Sequence, residues 1–300
     1  FSGSSERAAM ISTNAAWNPL VMTGNAAAIP GIAGNTSSDT NARAWAAAIV
    51  FQSDNNASNQ HIWNHGEGGG STDDNIFLRV DANRDLFFGW GRDGSKNEIQ
   101  LINLGLNPAW YGIYIGSTGA RLALADATPA NLADCFDIRV VNLATGAVYS
   151  NASTSYQWGL AGSTTGASMT KSINGQFTVG GRGGNRNFHG KVASAVVTTL
   201  KRGSAMPNGT EIQMMVMDPQ QWVIDYKVGQ QYRPSYANYN NSNFQLDSNV
   251  EAGSTQVWLM GDGTGDVYSK IRNQIYPADQ TYSALSMTNM VSADIETVSI

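Results

Sequence analysis

The chain has 300 residues, 42% hydrophobic and only 14% charged, with a formal net charge of −5. That length and apolar content support a real core, in one large or two modest domains. The lack of any Lys/Arg cluster argues against nucleic-acid binding. No apolar run reaches the length of a membrane span. The single cysteine, Cys135, excludes an internal disulfide and reads as a buried structural thiol beside alternating apolar residues. The sequence starts at Phe1 and shows no signal-peptide pattern there.

Residues 1–40 are small and polar and read as an extended arm and loop. From Ala44 the texture changes. "AWAAAIVFQSD" has the look of a buried strand, and "HIWNHGE" comes after it. "NIFLRVDANRDLFFGWGRD" is a hairpin: Phe77 to Val80, a turn over Asp81 to Asp85, then Leu86 to Trp90. "WYGIYIGS" and "FDIRVVNLATGAVYS", the latter turning at Ala144-Thr145-Gly146, continue the pattern. Short strands at regular spacing with turn chemistry between them predict an all-β sandwich or barrel.

The stretch "FTVGGRGGNRNFHGKVASAVVTTLKRG", Phe177 to Gly203, invites a phosphate-loop reading and fails it. Gly184 lies one residue too far from Gly190-Lys191, and Val192 stands where the metal-binding hydroxyl belongs. The run from Lys191 to Leu200 is rich in β-branched residues, so it reads as a strand, and the glycines read as a tight or bulged connection. Helical signals are confined to "NGTEIQMMVMDPQQWVIDYKVG". There Thr210 is expected to cap one short helix, and Asp218-Pro219 to open a second that ends near Gly229. "QQYRPSYANYNNSNFQLD" reads as a polar connector, with further extended segments after it.

"FHGKVASAVV" after "FTVGG", together with the hairpin "NIFLRVDANRDLFFGW", resembles the concanavalin A-like, laminin-G-like jelly rolls over roughly residues 40–220. The family's Phe-x-Gly-Lys-Ile-Asp run is Phe188-His189-Gly190-Lys191-Val192-Ala193 here, so its aspartate is replaced by Ala193. The resemblance implies a concanavalin A-like sandwich of two antiparallel sheets, a fold that hosts lectins, hydrolases, receptors and viral proteins. "DPQQWVIDYKVGQQYRPS", "TQVWLMGDGTGDVYSKIRNQIYP" and "TNMVSADI" are similar to structural proteins of marine tailed phages. The expected organisation is an N-terminal arm (1–40), a jelly roll (41–228) and a C-terminal β-rich extension (229–300).

A glucanase on this fold would need a Glu-x-Asp-x-(x)-Glu run with its acids on one strand face. None of Glu6, Glu67, Glu98, Glu211, Glu251 and Glu296 has an acidic residue two positions on, so hydrolysis is not expected. In "HIWNHGE", strand alternation would line up His61, Trp63, His65 and Glu67 as a metal-binding face or a solvated sheet edge. "DANRD" imitates a calcium loop, but Leu86 and Arg92 stand where glycine and glutamate belong, and a hairpin turn explains it better. "GDGTGD", with Asp262, Thr264 and Asp266, offers calcium ligands or ordinary turn chemistry. No other cofactor is implied. Tyr232, Tyr236 and Tyr239 in the connector, with Trp110 and Tyr111 beside Asn107-Pro108, are the aromatics expected to be exposed for glycan stacking or protein contact. Trp63, Trp90 and Trp158 are expected in the core. The sequence thus points to a non-enzymatic virion structural or decoration protein that self-associates and contacts other virion proteins and surface glycans. The alternative is a secreted carbohydrate-binding module. Low apolar patterning in residues 1–40 predicts an arm that orders on a neighbour. The apolar stretch 284–300 is expected to pack on the chain's own body or on a partner.

Overall fold

The computed structural model describes residues 6–12, 18–22, 45–54, 59–66, 74–92, 95–117, 136–150, 176–181, 186–199, 207–219, 221–222, 255–264, 266–273, 285–288 and 295–299. Sixteen strands are present among them: β1 (Glu6–Ser12), β2 (Asn18–Met22), β3 (Trp45–Ser53), β4 (Gln60–Gly66), β5 (Asp74–Val80), β6 (Asp85–Arg92), β7 (Ser95–Asn103) and β8 (Trp110–Ser117), then β9 (Phe136–Asn142), β10 (Val148–Ser150), β11 (Gln176–Val179), β12 (Gly190–Thr199), β13 (Thr255–Thr264), β14 (Asp266–Asn273), β15 (Leu285–Thr288) and β16 (Ile295–Ser299). One helix, α1, spans Gly209–Met217. The chain is an all-β sandwich of two antiparallel sheets, as expected.

The jelly-roll winding is visible in the pairing. β3 pairs with β12 and with β8, which leads on to β9 and β10; this is sheet one. β4 pairs with β11 and β5, which leads on to β6 and β7; this is sheet two. The chain therefore leaves sheet one after β3, builds sheet two, returns for β8 to β10, revisits sheet two with β11 and closes on β3 with β12. β11 and β12 are in different sheets, so the glycine-rich stretch between them is an arch across the sandwich rather than a hairpin turn. Its Phe188 is fully buried, meets Phe51 edge-on at 6.0 Å, and donates its backbone N–H to Gly180 O.

Alternation sorts the side chains of sheet one into two environments. Trp45, Ala47, Ile49 and Phe51 of β3, with Ile113, Ile138, Val140, Val192 and Trp258, face sheet two and meet Ile62, Leu78, Leu86, Phe88 and Ile99. Ala46, Ala48 and Val50, with Trp110, Tyr114, Val141, Val196 and Val257, face the other way and are covered by Ile212, Met215 and Val216 of α1 and by Trp222. Val196 belongs to this second cluster, while Phe77 and Phe87 are buried on the outer face of sheet two. The Phe177 side chain lies outside the described residues.

The helix starts earlier than expected. Asn208, not Thr210, is the cap: its Oδ1 accepts from the N–H groups of Thr210 and Glu211, and Glu211 Oε2 accepts from Asn208 N at 3.0 Å. This reciprocal box satisfies donors that the first turn leaves orphaned. Asp218 ends α1 and accepts from Gln221 N and Trp222 N, which makes it the expected start of the next turn. The region near Gly229 lies outside the described residues.

The flanking segments join the sandwich. β13 pairs with β12 over Ser194 to Thr198, and β1 pairs with the same edge over Gly190 to Val192 and with β16 on its other side. β14, β15 and β2 continue from β13 to β11, so a hydrogen-bonded path links sheet one to sheet two. The arm read from residues 1–40 thus contributes two strands that pair with the chain's own body.

Two glycines admit no side chain. Gly190 has φ +153°, and a Cβ there would lie 2.1 Å from Gln52 O and 2.8 Å from Phe188 Cζ. At Gly112 it would lie 2.2 Å from Val216 Cγ1, where the helix rests on the sheet. Gly190→Ala is expected to lose about 3 kcal/mol or more, since backbone must move. Gly112→Ala should be destabilising alone and partly rescued by Val216→Ala, with a coupling of roughly 1–2 kcal/mol. Urea unfolding midpoints of four variants, Gly190→Ala, Gly112→Ala, Val216→Ala and the Gly112→Ala/Val216→Ala double, check both.

Candidate functional site

The densest group of ionisable and aromatic side chains among the described residues lies on the outer face of sheet two. Arg79 of β5 donates from Nε to Glu98 Oε1 at 2.6 Å and from Nη2 to Oε2 at 2.7 Å, a bidentate fork. Its Nη1 donates to Asn59 Oδ1 at 3.0 Å, and its Cζ lies 4.2 Å above the Phe87 ring. The cation is thus matched on its edge by carboxylate and amide and on its face by a π-system. Arg79 and Glu98 are both buried. Next to them the His61 ring packs on Phe77 with centroids 5.1 Å apart. Both oxygens of the Glu98 carboxylate are thereby engaged by the one guanidinium.

The histidines do not share a face. The β4–β5 register slips between His61 and Trp63, with Ile62 as the extra residue. A bulge of one residue inverts every later side chain. His61 therefore stays outside with Phe77, while Trp63, opposite Leu78 and Val179, joins the sandwich core. His65 goes inward with Trp63 and is fully buried; desolvation drives its pKa from 6.5 to about 3. The metal face expected from simple alternation is lost for this reason. Glu67 lies outside the described residues, and among those described no three His, Cys, Asp or Glu side chains converge on a common point.

The other expected sites are dispersed. Trp110 and Tyr111 are not an exposed loop pair: they open β8, are buried, and point to opposite faces. Trp110 lies in the cluster under α1, while Tyr111 stacks on Phe51 at 6.1 Å and donates its hydroxyl to Leu104 O at 3.2 Å. Burial raises the Tyr111 pKa, helped by Tyr149. Asp262 and Asp266 belong to β13 and β14, which pair at Thr264 and Asp266; the two side chains, and Gly265 between the strands, lie outside the described residues. Tyr232, Tyr236 and Tyr239 lie outside them as well. "DANRD" is the expected turn, with Asp81 Oδ1 accepting from Asn83 N at 2.8 Å and Asp85 N at 3.0 Å.

Sequence reasoning missed Arg84. Its φ is +67°, its side chain is buried, and its guanidinium donates to the carbonyls of Gly105, Asp54 and Ser53. One side chain thereby ties the β5–β6 turn to the ends of β3 and β7. Burial lowers its pKa, with Tyr111 and Asp54 opposing.

No protein-family model matches the chain, and a search of curated proteins finds no match. Solved structures similar to it include a heptameric SAP-like pentraxin from Limulus polyphemus at 14% identity, covering 64% of this chain and 75% of that one, with a TM-score of 0.34. The CBM40 module of the Ruminococcus gnavus IT-sialidase is similar at 11% identity, over 59% and 88% of the two chains, with a TM-score of 0.31. Tailspike protein 2 of an Escherichia coli bacteriophage is similar at 16% identity, over 63% of this chain and 26% of that one, with a TM-score of 0.34.

Removing one member of the buried pair should be worse than removing both. Glu98→Gln is expected to cost about 3–5 kcal/mol by stranding the guanidinium, and Arg79→Met combined with Glu98→Leu to recover most of it. Equal losses in the two proteins, measured by denaturant titration, would refute the pairing. The His65 prediction concerns pH. The unfolded chain takes up a proton near pH 6.5 and the folded one only near 3. Stability from this residue is therefore complete above about pH 6.5 and falls by roughly 1 kcal/mol per unit as pH drops toward 3. His65→Leu should show a shallower slope than the parent over that range.

Proposed function

We propose that the chain is a non-enzymatic structural or surface-decoration subunit of a tailed-phage particle, acting through self-association and contacts with other virion proteins. The supporting observation is how its strands are deployed. The segments flanking the jelly roll form β1, β2 and β13 to β16, which join the two sheets along one side of the sandwich. The path's two ends, β10 and β7, each pair on one side only among the described residues. The two large hydrophobic side chains that stand exposed among the described residues are Val148 of β10 at 51% and Leu106, in the turn after β7, at 73%. An edge strand with an exposed apolar side chain, as β10 has in Val148, is where further strands or neighbouring subunits dock. The low charge content and the C-terminal resemblance to phage structural proteins support the same reading. Glu98, gripped by Arg79, supports a non-hydrolytic role.

The second reading is a glycan-binding module, for which the tyrosines of the polar connector, Tyr232, Tyr236 and Tyr239, are the candidate stacking residues. Light scattering and negative-stain microscopy of the purified chain separate the readings. The assembly reading expects concentration-dependent particles that shrink in Leu106→Asp and Val148→Asp, both tolerated because the sites are exposed. A monomer at every concentration that is retained on immobilised glycans, and no longer retained after Tyr236→Ala, would replace it with the second reading. Release of reducing ends from β-glucan by pure protein would overturn both.

A further inference from the structure

We propose that the segment carrying β1 and β2 is exchanged between copies of this chain, the strands of one copy completing the sheets of the next; this rests on the self-association reading above. The slots that the segment fills define its partner. β1 lies between β12 and β16, and β2 between β11 and β15. Among the described residues β12 does not pair with β16, nor β11 with β15. The segment is therefore a wedge, and withdrawing it opens four strand edges at once. An open edge is a template for another strand. The strand pair that restores every one of these bonds in register is the same segment of a second copy.

The segment is tied to the jelly roll by covalent connection at one point and by pairing far away. Among the described residues β1 and β2 pair with nothing from β3 to β10. The first partner of β2 along the chain is Thr178, and that of β1 is Gly190. The covalent tie is residues 23–44, since β2 ends at Met22 and β3 begins at Trp45. A peptide of that length spans up to about 70 Å fully extended, against roughly 30 Å across a small domain. A neighbour's slots are thus within covalent reach. The hold in the chain's own slots is shallow. β2 meets β11 only where Leu20 and Val21 oppose Val179 and Thr178, and its ladder with β15 shifts register between Ser286 and Thr288. β1 follows β12 no further than Val192, because β12 bulges against β3 between Val192 and Ser194 and its edge passes to β13 at Ser194. Short and irregular ladders open at low cost. Exchange then keeps the same backbone bonds, so its balance is set by the tether against the local concentration of neighbours. In a particle the neighbours stand at close range, and each exchanged segment joins two copies without any new interface.

Disulfide capture between two separately labelled copies tests this, with Cys135→Ala in every protein to remove the native thiol. One copy carries Ile11→Cys and the other Lys191→Cys, positions that face each other in the β1–β12 ladder. The two are unfolded together, refolded, allowed to assemble and oxidised, and particles are isolated by size. No single chain holds both thiols, so only a segment lodged in another copy brings them together. The expected result is a covalent pair containing one of each copy on a non-reducing gel, lost on reduction. A second mixture, Ala8→Cys with Thr297→Cys, reads the β1–β16 ladder in the same way and should link as well. Ile11→Cys mixed with Gln213→Cys, exposed on α1, reports collisional linking and should give no pair. Particles that form with no linked pair in either ladder mixture, or with as much linking to Gln213→Cys, would overturn strand exchange and leave the assembly reading standing. A chain that stays monomeric at every concentration would overturn both.

Discussion

Strands β3, β8 and β12 must bury both of their faces, and most of the remaining architecture answers that demand. A sheet in an antiparallel sandwich ordinarily keeps one face wet, with polar residues alternating outward. Here Ala46, Ala48, Val50, Tyr114 and Val196 occupy the outward positions instead. They require a third layer, and α1 with Trp222 supplies it. The small residues serve the same end: Gly112 lets Val216 approach the β8 backbone, so the helix sits lower on the sheet than any side chain there would permit. The polypeptide after the jelly roll is then not an appendage, because Val257 of β13 belongs to this outer cluster while Trp258 belongs to the inner one.

Charge is handled by the opposite strategy. With so few ionisable residues, the two buried arginines among the described residues, Arg79 and Arg84, are placed where they connect segments distant in sequence. Arg79 links β5 to β7 and to Asn59, and Arg84 reaches the carbonyls that end β3 and lie just past β7. A buried cation without such partners would be strongly unfavourable. Full satisfaction makes each a locator of loops rather than a reactive group.

Much of the fold was readable because alternation and turn chemistry are local. The β5–β6 and β9–β10 hairpins are dictated by Asp81 to Asp85 and by Ala144-Thr145-Gly146, whose side chains and glycine close the turns on their own. The sites were less readable because each depended on a non-local fact. The bulge at Ile62 cannot be seen in "HIWNHGE", since nothing in those letters marks an extra residue, yet it alone separates His61 from His65. Trp110 and Tyr111 look like loop residues after Asn107-Pro108 until β3 pairs with them at Gln52 and Phe51. The buried Arg79–Glu98 pair is hinted at only by a charge in the apolar run Phe77 to Val80. The assignment of β11 and β12 to different sheets depends on partners more than a hundred residues away, Trp63 and Phe51.

That last pairing sets an order of events during synthesis. β4 through β7 can close one turn at a time, each strand finding the previous one nearby. β3 cannot complete its ladder until β12, the far end of the jelly roll, has emerged, and through the interval its run of alanine, isoleucine and valine has an open edge. Closing so long a loop is the slow, entropy-limited kind of step, and an uncovered apolar strand during it is a point of aggregation. The chain therefore depends on late-made residues to protect early-made ones, so interruption of translation before Gly190 leaves a product whose most hydrophobic strand lacks its closing partner.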